Sequence, residues 1–239
     1  MSKIIYCFLI LLFCSGCSSD TVEPNPTPTH TETFYLPPLT NTTWETKSIA
    51  SLGWKQIAVQ PLLDYLELKN SKSFIILVNG RIVMEQYFNG NDANAFWYWA
   101  SAGKTLTSAV TGIAQQENLI KINNKVSQYI GTGWTSLPLA KENLITNKHL
   151  LTMTSGLDDS TDDVNPANLK YKADAGIRWA YHNVYVKLQD VIALASGQTW
   201  NTYFSTKLKN KIGMEGAWFQ LSTNSVYGSN TRSMARFGL

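Results

Sequence analysis

The pair Asn79-Gly80, set between two strand-like runs, constrains the fold of this chain more than any other feature. Ser73-Phe74-Ile75-Ile76-Leu77-Val78 precedes it, and Arg81 to Phe88 follows. Asn-Gly in such a place is the strongest short-range hairpin signal, because both residues tolerate the positive φ that a two-residue turn needs. Asn89-Gly90-Asn91 closes the second strand. Downstream the spacing turns helical: Leu106, Ala109, Val110 and Ile113 recur on one face of a segment from Ser101 to about Gln116. Asn147 to Met153, Val184 to Ala195 and Asn201 to Ile212 read as further helices, and Leu157 to Gly176 as a long polar loop. Strands followed by a run of helices indicate an α+β fold. A lone hairpin does not make a stable sheet, and no strong strand run follows Phe88. Either the sheet has partners that the pattern does not reveal, or its remaining strands lie beyond Leu239.

The 239 residues, 44% hydrophobic and 15% charged, are enough for one domain with a sizeable core. A net charge of +3 with no Lys/Arg run gives no reason to expect nucleic acid. The cysteines, Cys7, Cys14 and Cys17, all lie near the start. The folded part therefore has no disulfide, thiol nucleophile or cysteine metal site. His30, His149 and His182 lack metal-ligand spacing, which argues against a zinc hydrolase. Most of the eight Trp belong in the core, but Trp97, Trp99 and Trp179 are candidates to wall a cleft.

Residues 1–16 read as a secretory leader, with Lys3 ahead of an apolar run, Ile4 to Phe13, too short to span a bilayer. Cys14-Ser15-Gly16-Cys17 resembles a bacterial lipobox, although Cys14 stands where Leu is usual. That resemblance implies a lipid on Cys17 and a membrane-anchored protein of the bacterial cell envelope, facing the periplasm or cell surface. Residues 17–43, rich in Thr, Pro, Asn and Ser, read as a flexible tether, and 44–239 as the domain.

Ser101-Ala102-Gly103-Lys104 places a Ser at a helix start and a Lys one turn later on the same side. A serine hydroxyl is a poor nucleophile until a neighbouring group takes its proton, and a helix N-terminus directs N–H groups at a developing oxyanion. Two fixed residues match about once by chance in a chain this long. A Ser N-cap followed by a solvated Lys is the plain alternative.

Further stretches settle the matter by their order and spacing. His149-Leu150-Leu151-Thr152-Met153-Thr154-Ser155-Gly156-Leu157, Tyr181-His182-Asn183, Lys211-Ile212-Gly213-Met214 and Thr231-Arg232-Ser233-Met234-Ala235-Arg236-Phe237-Gly238 follow the Ser101 segment. Together they resemble the serine β-lactamase and penicillin-binding-protein superfamily, specifically its class C branch with related esterases and D-aminopeptidases, over roughly Phe74 to Leu239. The resemblance implies a helical subdomain beside an antiparallel sheet. It implies Ser101 as the acylated nucleophile, Lys104 as its proton acceptor, Tyr181 as the acid-base group, and Asn183 as a substrate-binding residue bonded to Lys104. For Asn183 a helix N-cap at Val184 is a second reading, compatible with the first. No metal or organic cofactor is implied; the expected partner is a small-molecule or peptide substrate, and the protein is expected to be a monomer.

Two competing matches are set aside. Tyr87-Phe88-Asn89 precedes Ser101 and reads as a strand aromatic and a turn Asn. Lys211-Ile212-Gly213 reads as a helix-terminating turn, not as the family's third motif, Lys-Thr-Gly, which lies on a later strand. That strand completes the sheet and carries one oxyanion-hole N–H, so the resemblance implies a domain truncated at its C-terminus and inactive alone. The remaining choice is between a serine hydrolase acting on an ester, amide or β-lactam and a non-catalytic surface lipoprotein that binds peptidoglycan or peptide.

Overall fold

The apolar face expected of the Ser101 helix is the spine of the core: Leu106, Val110 and Ala114 are all fully buried. The computed structural model describes residues 33–40 and 43–239; the expected leader, Cys17 and most of the tether lie outside them. In chain order the elements are α1 (Val59–Leu68), β1 (Ser73–Val78), β2 (Arg81–Tyr87), β3 (Trp97–Tyr98), α2 (Gly103–Gln116), α3 (Ser127–Ile130), α4 (Leu139–Glu142), α5 (Asn147–Leu151), α6 (Lys187–Ser196), α7 (Trp200–Lys207), β4 (Ala217–Leu221), β5 (Asn224–Ser229) and α8 (Thr231–Gly238). Short 3-10 turns precede α2 at Ala100–Ala102 and α6 at Asn183–Val186. The fold is α+β, with helices and two antiparallel sheets.

The hairpin forms as the sequence dictates. β1 and β2 pair antiparallel, and the turn residues Asn79 and Gly80 take φ of 50° and 82°. Gly80 also serves a second purpose, since a Cβ there would collide with the Tyr35 carbonyl. Tyr35 N–H donates to the Asn79 carbonyl at 2.9 Å, and Arg236 donates to the carbonyls of Pro37 at 3.3 Å and Pro38 at 2.6 Å. These bonds fasten part of the expected tether to the domain, so the folded unit runs from Phe34 to Leu239 and not from residue 44.

A second sheet, in the order β3-β5-β4, supplies strands after Phe88 that the sequence pattern does not reveal. Its pairing runs from Ala217↔Gly228 to Leu221↔Asn224, with β3 on the other side of β5 through Trp97↔Ser229 and Tyr98↔Gly228. The main core lies between this sheet and the helices. Leu188, Val191 and Ile192 of α6, Tyr203 and Phe204 of α7, and Trp218 and Tyr227 of the sheet join the α2 residues there. Ring pairs at 5.1–5.6 Å link Phe204, Trp218 and Tyr227. Edge-on and tilted contacts of this kind add to what area burial alone contributes.

Two expected helices, α5 and α7, end early, whereas α6 stops at Gly197 as the sequence predicts, each for a local reason. α5 begins on a capping box between Thr146 and His149 and stops before Met153, whose φ is +56°. α6 ends at Gly197, which takes the left-handed conformation and donates to Ala193. α7 gives way at Leu208 to a 3-10 turn, and Gly213 at φ +67° completes the stop, so Lys211-Ile212-Gly213 is the turn expected of it. Tyr87 ends β2, and Asn89 takes φ of 53°, as a turn residue should. Among the described residues no helix is long and apolar enough to cross a membrane.

Candidate active site

Ser101 is held by the chain just before it. The Trp99 N–H donates to the Tyr227 carbonyl at 2.7 Å, and Ala102 N–H closes the turn onto Trp99 at 3.0 Å. The Trp99 indole donates to Ser229 Oγ at 2.7 Å. β5 thus fixes both backbone and side chain two residues before the serine. Between them Ala100 takes a φ of +46°. A left-handed Ala costs on the order of 1–2 kcal/mol, a strain the surrounding bonds sustain, and it throws the Ser101 hydroxyl out of the helix line into a cleft.

The expected partners converge there. Tyr181 OH donates to Ser101 Oγ at 2.5 Å, and Lys104 Nζ donates to the same oxygen at 3.2 Å. Residues 80 positions apart therefore meet on one atom. The Lys104 ammonium also lies 4.9 Å from the Tyr181 ring centre and 4.6 Å from that of Tyr185. The hydrogen bond with Ser101 is the largest influence on Tyr181 and holds its phenol below the usual value; burial opposes this, and Lys104 adds to it through a hydrogen bond and its charge. Asp162 acts weakly the other way. Once ionised, the Tyr181 oxygen accepts from the serine hydroxyl instead of donating to it, which is the geometry of a base on a nucleophile.

Tyr181-His182-Asn183 alternates in direction. Tyr181 is half-exposed in the cleft, whereas His182 is buried. His182 Nε2 lies 2.9 Å from the Thr161 carbonyl oxygen; a carbonyl only accepts, so this nitrogen carries the proton. Asn183 lines the cleft, but its amide donates to the Asp162 carbonyl at 3.4 Å, and the N-cap position belongs to His182. The triplet therefore pins the long loop as well as supplying Tyr181. Other loop aspartates have structural partners: Asp159 receives two bonds from Arg178, at 2.7 and 2.8 Å, and Asp163 receives Asn165 and Asn168. The Gly156 of the second family stretch lets the loop cross: at φ +78° its Cβ position is occupied by the Ala173 carbonyl.

The cleft measures about 410 Å³ and is walled by Tyr98, Tyr185, Leu221, Ser222, Asn224 and Val226 around Ser101, Lys104, Asp162, Tyr181 and Asn183. The tryptophans expected as walls are elsewhere. Trp99 is in the core, Trp97 lines another groove beneath Lys72, 4.6 Å from its ring, and Trp179 points into solvent. Tyr98, three residues before Ser101, and Tyr185 carry no motif in the sequence. A slightly larger cavity, about 440 Å³, lies beside Trp44, Glu215, Arg232 and Arg236. Its guanidinium groups are engaged with Glu85 and with main-chain carbonyls, and Ser233 Oγ there accepts from the Glu215 N–H.

The β-lactamase family profile matches residues 70–236, well over half of the chain. Among solved structures, a Bacillus anthracis protein assigned as a 6-aminohexanoate-dimer hydrolase aligns with a TM-score of 0.61 at 21% identity, covering 75% of this chain and 55% of its own. The octameric penicillin-binding protein homologue from Pyrococcus abyssi gives 0.62 at 14% identity, covering 77% and 55%. The β-lactamase/D-alanine carboxypeptidase from Yersinia pestis gives 0.55 at 16% identity, covering 65% and 58%. The chain spans less than two thirds of the length of these neighbours, and the likenesses concern the fold. No sequence match was found among curated proteins. With the matched stretch running through Ser101, Lys104 and Tyr181 and the same fold recurring in these neighbours, the chain belongs to the β-lactamase family, within the serine β-lactamase and penicillin-binding-protein-like hydrolases.

Proposed function

We propose that the protein is a serine hydrolase of the class C β-lactamase-related type, acting through an acyl-enzyme on Ser101. The observation that carries this reading is the convergence of Tyr181 OH and Lys104 Nζ on Ser101 Oγ, at 2.5 and 3.2 Å, on the floor of an open cleft. Tyr181, its phenol lowered, takes the serine proton while Lys104 balances the resulting negative charge. Oγ then attacks the substrate carbonyl, and the Ser101 N–H at the helix start donates to the developing oxyanion. Tyr181 returns the proton to the leaving group, whose bond to the carbonyl breaks. Water repeats the sequence from the other side and frees Ser101. Positioned acid-base groups of this kind contribute about 10²–10⁴ in rate.

The substrate is an ester, amide or β-lactam. Two neighbours carry names that refer to amide hydrolysis, the 6-aminohexanoate-dimer hydrolase and the D-alanine carboxypeptidase, which supports an amide. A fluorophosphonate or penicillin probe should label the full-length protein covalently, and Ser101→Ala in it should abolish labelling. Labelling that persists in that variant refutes the assignment. We further propose that the lipobox-like Cys14-Ser15-Gly16-Cys17 anchors the protein through Cys17. Cys17→Ala should then move it from the membrane fraction to the soluble one, and retention in the membrane would refute the anchor.

A further inference from the structure

Tyr185 is a cleft residue with no part in the chemistry so far. It sits on the 3-10 turn Asn183–Val186. It is buried, 7% exposed, and still lines the cleft beside Ser101. Its ring centre lies 4.6 Å from Lys104 Nζ, and that of Tyr181 lies 4.9 Å from the same atom. Both distances fall within cation–π range. A lysine ammonium is a compact charge on a flexible stem with large rotamer freedom. To stay 3.2 Å from Ser101 Oγ it must be restrained, and the groups that touch it are the serine, Tyr181 and the face of Tyr185.

The two tyrosines differ in a way that suits different tasks. Tyr181 is half-exposed and aims its oxygen at Ser101. Tyr185 is buried, and burial first, then the neighbouring Tyr181 charge, push its phenol up to about 12. It therefore stays neutral wherever the enzyme works, and presents a π face without a competing anion. A carboxylate in its place would also hold Lys104, but would oppose ionisation of Tyr181 by like-charge repulsion.

We propose that Tyr185 is a positioning residue whose ring face clamps Lys104 as a cation against Ser101 and Tyr181, so that Tyr181 and not Lys104 takes the serine proton. This rests on the serine hydrolase reading above. Such a clamp prefers the charged amine, because an aromatic face attracts a cation and has no such attraction for a neutral amine. The groups that face Tyr181 are then Lys104 from α2, Asp162 from the long loop, Tyr98 from β3 and Tyr185 from its own turn.

The test replaces residue 185 with phenylalanine and then with phenylalanines carrying one, two and three ring fluorines, which keep the shape and weaken the face. The readouts are the rate at which a fluorophosphonate labels Ser101, and the titration of Tyr181 followed by NMR of ring-¹³C tyrosine, assigned with Tyr181→Phe. Tyr185→Phe should keep the rate within about threefold, and trifluorination should lower it roughly tenfold further, in even steps. The Tyr181 midpoint should climb along the series, as its cationic neighbour is released. Tyr185→Leu should fall at least as far as the trifluoro variant; should it not fold, the isosteric series decides alone. A flat series, with labelling still dependent on Ser101, overturns the clamp and leaves the hydrolase intact. Labelling that ignores Ser101→Ala overturns both.

Discussion

The two sides of the molecule are held by different forces. Around α2, α6, α7 and the β3-β5-β4 sheet, more than a dozen apolar side chains are almost wholly removed from water. Around β1, β2 and α8 the buried cluster shrinks to Trp44, Ile82 and Ala235, each still a few per cent exposed. There the contacts are polar: Arg232 bonds Glu85 through two nitrogens at 2.8 Å, Thr231 bonds Ser73 at 2.6 Å, and the Trp44 indole reaches the Gly80 carbonyl at 2.7 Å. Ser101, Lys104, Tyr181 and Tyr185 all stand on the densely buried side. A reacting group must keep its place to within a fraction of an ångström, and close packing supplies that more dependably than scattered polar bonds. The hairpin side frames the domain and places no atom on the nucleophile.

Changes at the site should sharpen this division most. In the full-length protein, Tyr181→Phe removes the proposed base while keeping the ring over Lys104. It should lower kcat/KM by about 10²–10⁴, or roughly 3–5 kcal/mol of barrier. Because the proposed mechanism uses deprotonated Tyr181 and its phenol is held below the usual value, kcat/KM of the wild-type full-length protein should rise with pH on a limb below the ordinary tyrosine range. The variant should lose that limb without loss of thermal stability. A variant equally inactive at every pH and also less stable would make Tyr181 a packing residue.

Next in size is Leu106→Ala, in the middle of the buried side, where the residue is 0% exposed. Truncating a buried leucine costs roughly 2–5 kcal/mol, which urea denaturation would measure, and the loosened α2 should slow labelling of Ser101 as well. On the other side, Glu85→Gln should cost less, about 1–2 kcal/mol, and leave labelling unchanged. Burial tends to raise the Glu85 carboxyl, but hydrogen bonds from Arg232 and Tyr87 and the Arg232 charge outweigh it and hold it below the ordinary value. A depressed carboxylate stabilises the fold above its unfolded titration range, and that stability is lost as pH falls through the folded value. The gap between wild type and Glu85→Gln should therefore be full at neutral pH and close in acid. A Glu85→Gln effect as large as that of Leu106→Ala, or one unchanged in acid, would break the contrast between the two sides.

The sequence was most legible where backbone conformation demands particular residues. Asn79-Gly80 revealed β1–β2, since the turn needs positive φ twice. β4–β5 turns at Ser222, a residue with φ of +54° but no turn signature, and β5 carries Ser225, Gly228 and Ser229 among few apolar residues. Its burial comes from tertiary packing, which no local pattern records. The residues that meet at Ser101, Lys104 and Tyr181, were readable because their motifs stand in a distinctive order and spacing. The walls were not. Trp99 carries the same composition signal as a wall residue, yet its indole is turned inward to Ser229. Tyr185 was one of eleven tyrosines, and its meaning appears only once the Asn183–Val186 turn sets it against Lys104. The end of the tether was misplaced for a related reason: its Pro-rich composition suits a solvated linker, but Arg236 binds its carbonyls, which are indifferent to side-chain type.

The tip of β4–β5 has a consequence for how such an enzyme changes over generations. Leu221, Ser222 and Asn224 form one wall of the cleft, although they belong to a surface turn. Surface turns gain and lose residues more freely than any packed element. Lengthening or shortening this one would resize the space beside the acyl group while Trp99, Ser101 and Tyr181 kept their bonds. Substrate range can then drift by small insertions that leave the residues at Ser101 untouched, and lineages that share those residues can part company over what they cleave.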